Sequence, residues 1–554
     1  MKNIYLDIIE KALSAYTLER IEDFISEVLS EGLTEHGFPR LCANIGIMLA
    51  HGRKTELTEL FCEMLDICCR EIPVKKAANE FSVREICCCL MLLEEKRTFP
   101  AERINQWKKS IASIDDPTTC YTVVAHDTVT PLNNWAAFGA VSEFVRGKYC
   151  GIDTSEFVER QIASQIMSFD ENGMYKDPNC PMVYDHVTRG LFAMLLHFGY
   201  KGTYEKVLRG YLGKSADLTL KMQSVLGELP FGGRSNQFLH TEGWVACLDE
   251  FYASEFSRQG DIEMAQKFKS AAVSARNCML LWLNKTPIRH IKNHYDTGSM
   301  IGCEDYGYFN KYMITTASFA YCAYLMADDS VMPSVNDPKA ECYTAQTSRD
   351  FHKLFISAGG YSLEYDLDAD YHYDANGLGR VHKKDSPAAI CLSVPLPGEN
   401  AEYKTEHPNP RPMSLCCYYE DGNCILCGAD KSSVYTVEST YADSDSASAE
   451  ILCCLSDKMT IREKTKASAS GVTIVLDSTE DCGFMVPVFS FDGSNNTSIS
   501  ENGNSISVEY ENAVCIYSFD GTASEYGDFY NRNGKYRVYK VNSKFLHIEI
   551  NERI

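Results

Sequence analysis

A change of hydrophobic period near residue 340 constrains this 554-residue chain more than any other feature. Before it, apolar residues recur at helical spacing. In Asp261–Arg276 a Gly260-Asp261 start is followed by a stripe of Ile262, Ala265, Phe268, Ala272 and Ala275. Residues 244–256 and 312–326 repeat the spacing, and the first hundred residues read as helices without evident chemistry. After residue 340 the period becomes two. Strands are predicted over 354–365, 388–394, 414–426, 433–440, 471–476, 505–510, 514–519 and 535–550, many separated by Asp-Gly, Asn-Gly or Ser/Asn-rich turns. Helices in one block and strands in another exclude an alternating α/β fold. The length also exceeds one ordinary core. The expectation is multidomain, α then β: an (α/α)6-type toroid over 1–335, then an antiparallel β-sandwich over 336–554. The junction belongs in the proline-containing, polar stretch Pro333–Thr347.

Four polar segments interrupt the helical half. They are Pro131–Trp135; Asp170–Asp177 with Tyr184–Arg189; Glu228–Glu242; and His290–Asp296 with Gly302–Tyr312. Asn134, Asp185, Glu242 and Glu304 lie about 50 to 60 residues apart, the length of two helices and their loops. In an up-down array every second helix starts at the same end, so the segments face one rim. Ring closure brings them to one cleft. N-capping accounts for Asn and Asp before a helix, but not for Trp135, His186, Arg189, Arg234, His240, His294 and Tyr308 beside the caps.

The net charge of −23 argues against nucleic acid and against anionic membranes. A small anion in a local arginine pocket stays compatible with it. The amphipathic N-terminus lacks the apolar core and cleavage site of a signal peptide, and no apolar run is long enough to span a bilayer, so a cytoplasmic location is expected. The 24 cysteines include adjacent pairs in apolar runs, such as Cys68-Cys69 and Cys453-Cys454, which read as small core residues. Cys424-x-x-Cys427 has no second pair at zinc spacing. The acidic stretch Asp366–His382 carries Gly377 at its twelfth position, where a calcium loop of the EF-hand type requires glutamate. No P-loop, dinucleotide fingerprint or nucleophile elbow occurs. No metal and no cofactor are expected.

A cleft of carboxylates, amides, aromatics and arginines suits a sugar. Aromatic faces stack on pyranose rings, amides and carboxylates bind hydroxyls, and arginine grips a carboxylate with two hydrogen bonds. Glu242 and Glu304, on different segments, are the candidate acid and base of a glycosidase. Arg234 would hold a substrate carboxylate. Asn134, Trp135, Asp185, His186, Asn236, His240, Tyr308 and, from the strand half, His382 complete the candidate binding set. The Asp366–His382 stretch is expected to lean over the cleft, with Tyr373, Arg380 or His382 reaching the substrate.

The segments Gly233–Glu242, Asp-x-Asn-Gly-x-Tyr-x-Asp (170–177) and Cys303–Met313 most resemble glycoside hydrolase family 154, associated with β-glucuronidase activity. The toroid-plus-sandwich order also resembles heparinase II/III-type lyases, in which an Asn-containing segment like Asn133-Asn134-Trp135 binds the carboxyl group. The first resemblance implies a hydrolase releasing a uronic acid from a glycan or glycoconjugate. The second implies a polysaccharide lyase acting by β-elimination, with Asn134, His186, His240, Arg234, Tyr308 and His382 as its chemistry. A non-catalytic glycan-binding protein is the third expectation, and assembly into a homo-oligomer is compatible with all three. Hydrolysis leads here because the helical motifs resemble the hydrolase family more closely and carboxylates recur along the rim.

Overall fold

The computed structural model describes residues 1–335, 341–407, 413–420, 423–455 and 459–553. Among these, thirteen α-helices lie between Asn3 and Met326 and seventeen β-strands between Tyr343 and Glu552. The expected junction at 335/336 abuts residues 336–340, which lie outside the described residues.

Every second helix from α3 onward is buried on nearly all sides: α3 (Gly37–Ala50), α5 (Asn79–Lys96), α7 (Trp135–Cys150), α9 (Met182–His197), α11 (Thr241–Gln259) and α13 (Phe309–Met326). In α7, 12 of 16 residues are buried, too many for a single stripe. A helix apolar all round has to be surrounded by others. The six pack in chain order and α13 returns to α3, which closes a ring. Around it lie α4 (Thr58–Glu71), α6 (Ala101–Ala112), α8 (Ser155–Ile166), α10 (Glu205–Met222) and α12 (Ile262–Leu283), each packed on an inner neighbour. By contrast α2 (Leu18–Glu31), at the periphery, buries only Ile21, Phe24, Ile25 and Val28. The ring is tight: a Cβ on Gly190 of α9 would stand 2.4 Å from the Trp244 ring of α11. Only glycine allows that approach.

The strand half has three antiparallel sheets. The first runs β1 (Tyr343–Gln346), β2 (Lys353–Ala358), β3 (Tyr361–Asp366), β4 (Gly377–Lys383) in chain order. The second has eight strands, ordered β12 (Ser498–Asn502), β13 (Ser505–Tyr510), β14 (Ala513–Phe519), β17 (Phe545–Glu552), β10 (Gly471–Asp477), β9 (Thr460–Ser468), β8 (Ser446–Leu455), β7 (Ser433–Ala442). The third is β15 (Thr522–Tyr530), β16 (Lys535–Asn542), β11 (Cys482–Phe491), β5 (Cys416–Glu420), β6 (Asn423–Leu426). In β8 and β14 buried and partly open residues alternate, as expected for a sheet with one face on a core. β2 and β3 are buried throughout, because their sheet lies between the ring and β8–β9. The 24 cysteines are free thiols, most of them buried.

Four sequence expectations change. Residues 354–365 form the β2–β3 hairpin, turning at Gly359-Gly360, 414–426 divide into the antiparallel pair β5 and β6, and 535–550 divide into β16 and β17. Residues 388–394 form no strand: Ala388–Ile390 is a 3-10 turn behind Pro387. The central strand β11 escaped the sequence reading because Pro487 stands in it. The structure tolerates this proline because β5 pairs only with Cys482–Phe484.

Candidate active site

A cavity of about 450 Å³ opens at the N-terminal ends of the inner helices. Five of the six contribute directly and the sixth through the residue before it. His36 precedes α3 and Arg40 lies in it; Phe81 comes from α5, Trp135 and Phe138 from α7, and Tyr184 and Val187 from α9. His240 precedes α11, and Lys311, Tyr312, Thr315 and Phe319 come from α13. Asn133, Asn134, Asp177, Arg234 and Tyr306 enter from the loops before those helices. Each of the four polar segments thus places at least one side chain in this cavity. Helix N-termini carry partial positive charge, so their convergence favours an anionic ligand.

The wall around Arg234 is the most constrained. Gly232 and Gly233 have φ of 138° and 72°, and the non-glycine residues Ser235 and Gln237 have φ of 62° and 67°. Left-handed conformations at non-glycine residues cost about 1–3 kcal/mol each and need support from their surroundings. Here Glu304 Oε1 accepts the Ser235 N–H at 2.6 Å, and Asp374 Oδ2 accepts the Gly233 N–H at 2.9 Å. The Ser235 hydroxyl lies 2.9 Å from both Tyr184 Oη and Tyr306 Oη, making a three-hydroxyl chain. Between these anchors Arg234 pairs with Asp177, donates to the Pro178 carbonyl at 2.7 Å, and sits 4.8 Å over the Tyr184 ring.

Electrostatics sort the site into neutral and charged groups. Burial, with Arg40 and His290 nearby, pushes His240 down to about 3, so its imidazole is neutral at ordinary pH. His36 is also pushed well down by burial. Burial raises the phenols of Tyr184, Tyr306 and Tyr312 and keeps them protonated. Asp177 is raised by burial against the opposing Asn134 N–H and Arg234. Arg40 is fully enclosed, 3.1 Å from Glu85 and 2.7 Å from Thr315 Oγ1, with Nη2 lacking a hydrogen-bond partner among the described residues. The Asn134 backbone N–H donates to Asp177 at 2.8 Å.

With this geometry described, comparison with known structures places the fold. Over all of this chain and 82% of the other, a variant of chondroitin AC lyase from Streptomyces coelicolor A3 superposes with a TM-score of 0.52 at 11% identity. A heparan sulfate lyase variant from Pedobacter heparinus covers 92% of this chain and 74% of its own, with a TM-score of 0.45 at 10% identity. The likeness is one of fold. No protein-family model matches the chain, and no curated protein matches it.

Of the residues expected from sequence, Asn134, Trp135, Arg234 and His240 line the cavity, and the others do not. Glu242 is fully buried, with Lys292 Nζ 2.8 Å from one oxygen and the Thr241 hydroxyl on the other. Lys292 also holds Glu228 at 2.9 Å. Burial raises Glu242, and repulsion from Glu228 adds to this against the pull of Lys292. Glu304 is spent on Ser235 and on Arg532 Nη2 at 2.7 Å. Asp185 is sealed inside the ring with Arg189, and His186 Nδ1 lies 3.2 Å from Asp185. The Asn236 amide turns inward to the Pro230 carbonyl and Gln237. Tyr308 stands half-exposed before α13. His382 is buried between the hydroxyls of Ser224 and Ser393, and Arg380 pairs with Glu364. The Asp366–His382 stretch therefore meets the cleft from behind, through Asp374. Several lining residues escaped the sequence reading, titratable ones among them. Tyr306 and Lys311 sit inside a quoted segment, whereas His36 and Arg40 lie in the region read as chemically bland. The available signal for Arg40 was its place in α3, which is otherwise apolar apart from Asn44.

Proposed function

We propose that the protein is a polysaccharide lyase that cleaves uronate-containing glycans by β-elimination. The supporting observation is the chemistry of the cavity wall. It presents three phenols, two neutral imidazoles, amides and three cations, and among the described residues one carboxylate, Asp177, tied to Arg234. Hydrolysis by inversion or retention needs two carboxyl groups flanking the bond. Elimination needs a neutralised substrate carboxylate, a base and an acid. The shared fold with a chondroitin AC lyase points the same way.

In this reading the Asn134 amide, the helix N-termini and Lys311 receive the uronate carboxylate and make the C5 proton more acidic. His240, neutral and facing the cavity, takes that proton, and the bound carboxylate raises its basicity. The C5–H and C4–O bonds break, and a C4=C5 double bond forms. Tyr306 gives its proton to the leaving oxygen and is reprotonated along Ser235 and Tyr184, where Arg234 stabilises a phenolate.

Hydrolysis of the glucuronidase type is the second reading, favoured by the resemblance of the polar segments. It would require Glu242 and Glu304 to leave Lys292 and Arg532. Turnover of uronate polysaccharides in heavy-oxygen water separates the two. Elimination gives an unsaturated, ultraviolet-absorbing end without label, and a saturated, labelled product would overturn the proposal. His240→Ala and Tyr306→Phe should each lower kcat by roughly 10²–10⁴-fold, the usual contribution of general acid–base catalysis, with the circular dichroism spectrum unchanged.

A further inference from the structure

A second cavity, of about 280 Å³, lies at the joint between the helical ring and the sheets. Its wall shares no residue with the first cavity. On the ring side it is formed by the end of α12, with Asn277, Cys278, Leu281 and Trp282. The opposite wall is the 3-10 turn at Ala388–Ile390, with Phe489 and Tyr510 from β11 and β13. We propose that this cavity binds a neutral, N-acetylated aminosugar unit.

Three observations carry this. The first is an uncovered apolar step at the mouth. Leu281 is 59% exposed, and the half-buried Trp282 indole lies beside it, with the His294 ring at 5.3 Å and the Lys285 ammonium 5.1 Å from its centroid. An indole lining a concavity offers a stacking surface for a flat apolar ring face. The second is Asn533. It is buried and lines the cavity, yet its Oδ1 has no hydrogen-bond partner among the described residues. Buried acceptors are ordinarily paired, so this one is free to take a donor from outside the chain. The third is charge balance. Lys285 is held by Glu511 at 2.8 Å, Lys292 by Glu228 at 2.9 Å and by Glu242, and Asp492 accepts from Tyr510 at 3.0 Å. Every charge on the wall has an internal counterion or donor, so an ionised ligand would gain no counter-charge. A pyranose face for Trp282, an amide N–H for Asn533 and a methyl group for the apolar wall at Leu226, Pro387 and Ala388 together describe an acetamido sugar. The inference rests on this wall alone and not on the proposed elimination.

The four tryptophans give the test its resolution. Trp107 and Trp244 are buried, Trp135 lies in the first cavity and Trp282 in the second. The full-length protein is titrated with N-acetylglucosamine and N-acetylgalactosamine, and in parallel with glucuronate, following tryptophan fluorescence and calorimetric heat. A saturable response to at least one acetamido sugar is expected. It should persist in Trp135→Phe, and affinity should fall at least tenfold in Trp282→Ala and in Asn533→Ala. The Asn533 side chain carries no hydrogen bond on Oδ1 among the described residues, so that variant keeps the test open should Trp282→Ala fold poorly. Three results overturn the proposal: no saturation with either sugar, a response that follows Trp135 instead of Trp282, or glucuronate binding at the Trp282 site as tightly as the acetamido sugars.

Discussion

Asp185 and Arg189 meet inside the helical ring with no exposed surface on either side chain. Burial opposes ionisation of the carboxyl, yet the guanidinium beside it, Nε at 2.8 Å, holds it well below the usual carboxylate range. Removing one partner of such a pair leaves the other charge buried and costs about 3–5 kcal/mol. Asp185→Asn should therefore shift the urea midpoint strongly downward. The folded pKa is depressed, so the stabilisation is complete above the unfolded value of about 3.9 and is lost as pH falls below it. Unfolding curves across that acid range should show a steep loss in the natural protein and a flatter one in the variant. The pair was legible in sequence as an acid and a base four apart on a helix, although the sequence reading assigned Asp185 to substrate. Arg40 was not legible in that way. Its partners, Glu85 and Thr315, stand far off in the chain, and only ring closure brings them together.

The strand β9 shows how an element can hide from a hydrophobic pattern. Its inward positions are Ile461, Glu463, Thr465 and Ala467, so polar residues occupy half of its core face. Period-two reading looks for apolar alternation and passes over it. Glu463 is buried, and burial pushes its carboxyl up to about 7, with Tyr365 as the opposing hydrogen-bond partner. The folded pKa is raised, so the native state holds the proton where the unfolded chain has lost it. Its contribution is present below the unfolded value of about 4.3 and is lost as pH rises through about 7, a swing of roughly 4 kcal/mol at most. Glu463→Gln keeps the shape without the titration. Thermal unfolding between pH 5 and about 8 should show a declining Tm in the natural protein and a shallower decline in the variant. A parallel slope in both would remove Glu463 as the cause. The inner helices were easier to read, because an unbroken apolar surface on α7 or α13 leaves few folds open to it.

At the scale of the whole molecule, the sheets complete a site that the helices begin. Ser235 is held by Glu304, Glu304 by Arg532, and Gly233 by Asp374, so both sides of Arg234 depend on the strand half. Arg532→Met should cost about 3–5 kcal/mol by stranding the Glu304 charge. It should also lower kcat roughly 10²-fold, since a small misplacement of a positioned group has that effect. Pairing it with Glu304→Gln should restore much of the stability in urea unfolding but not the turnover. Recovery of both would mean that the ion pair has no part in placing Arg234. The spacing of the polar segments was enough to read their convergence on one rim. Nothing in the spacing could show Asp374 or Arg532 reaching across, because contacts between distant stretches of chain leave no local period. Arg532 stands 228 positions after Glu304. A ribosome that has finished the helical ring has yet to make the arginine that fixes the wall around Arg234. The newborn ring would hold a cavity without a set Arg234, and turnover would begin only after the last strands had docked.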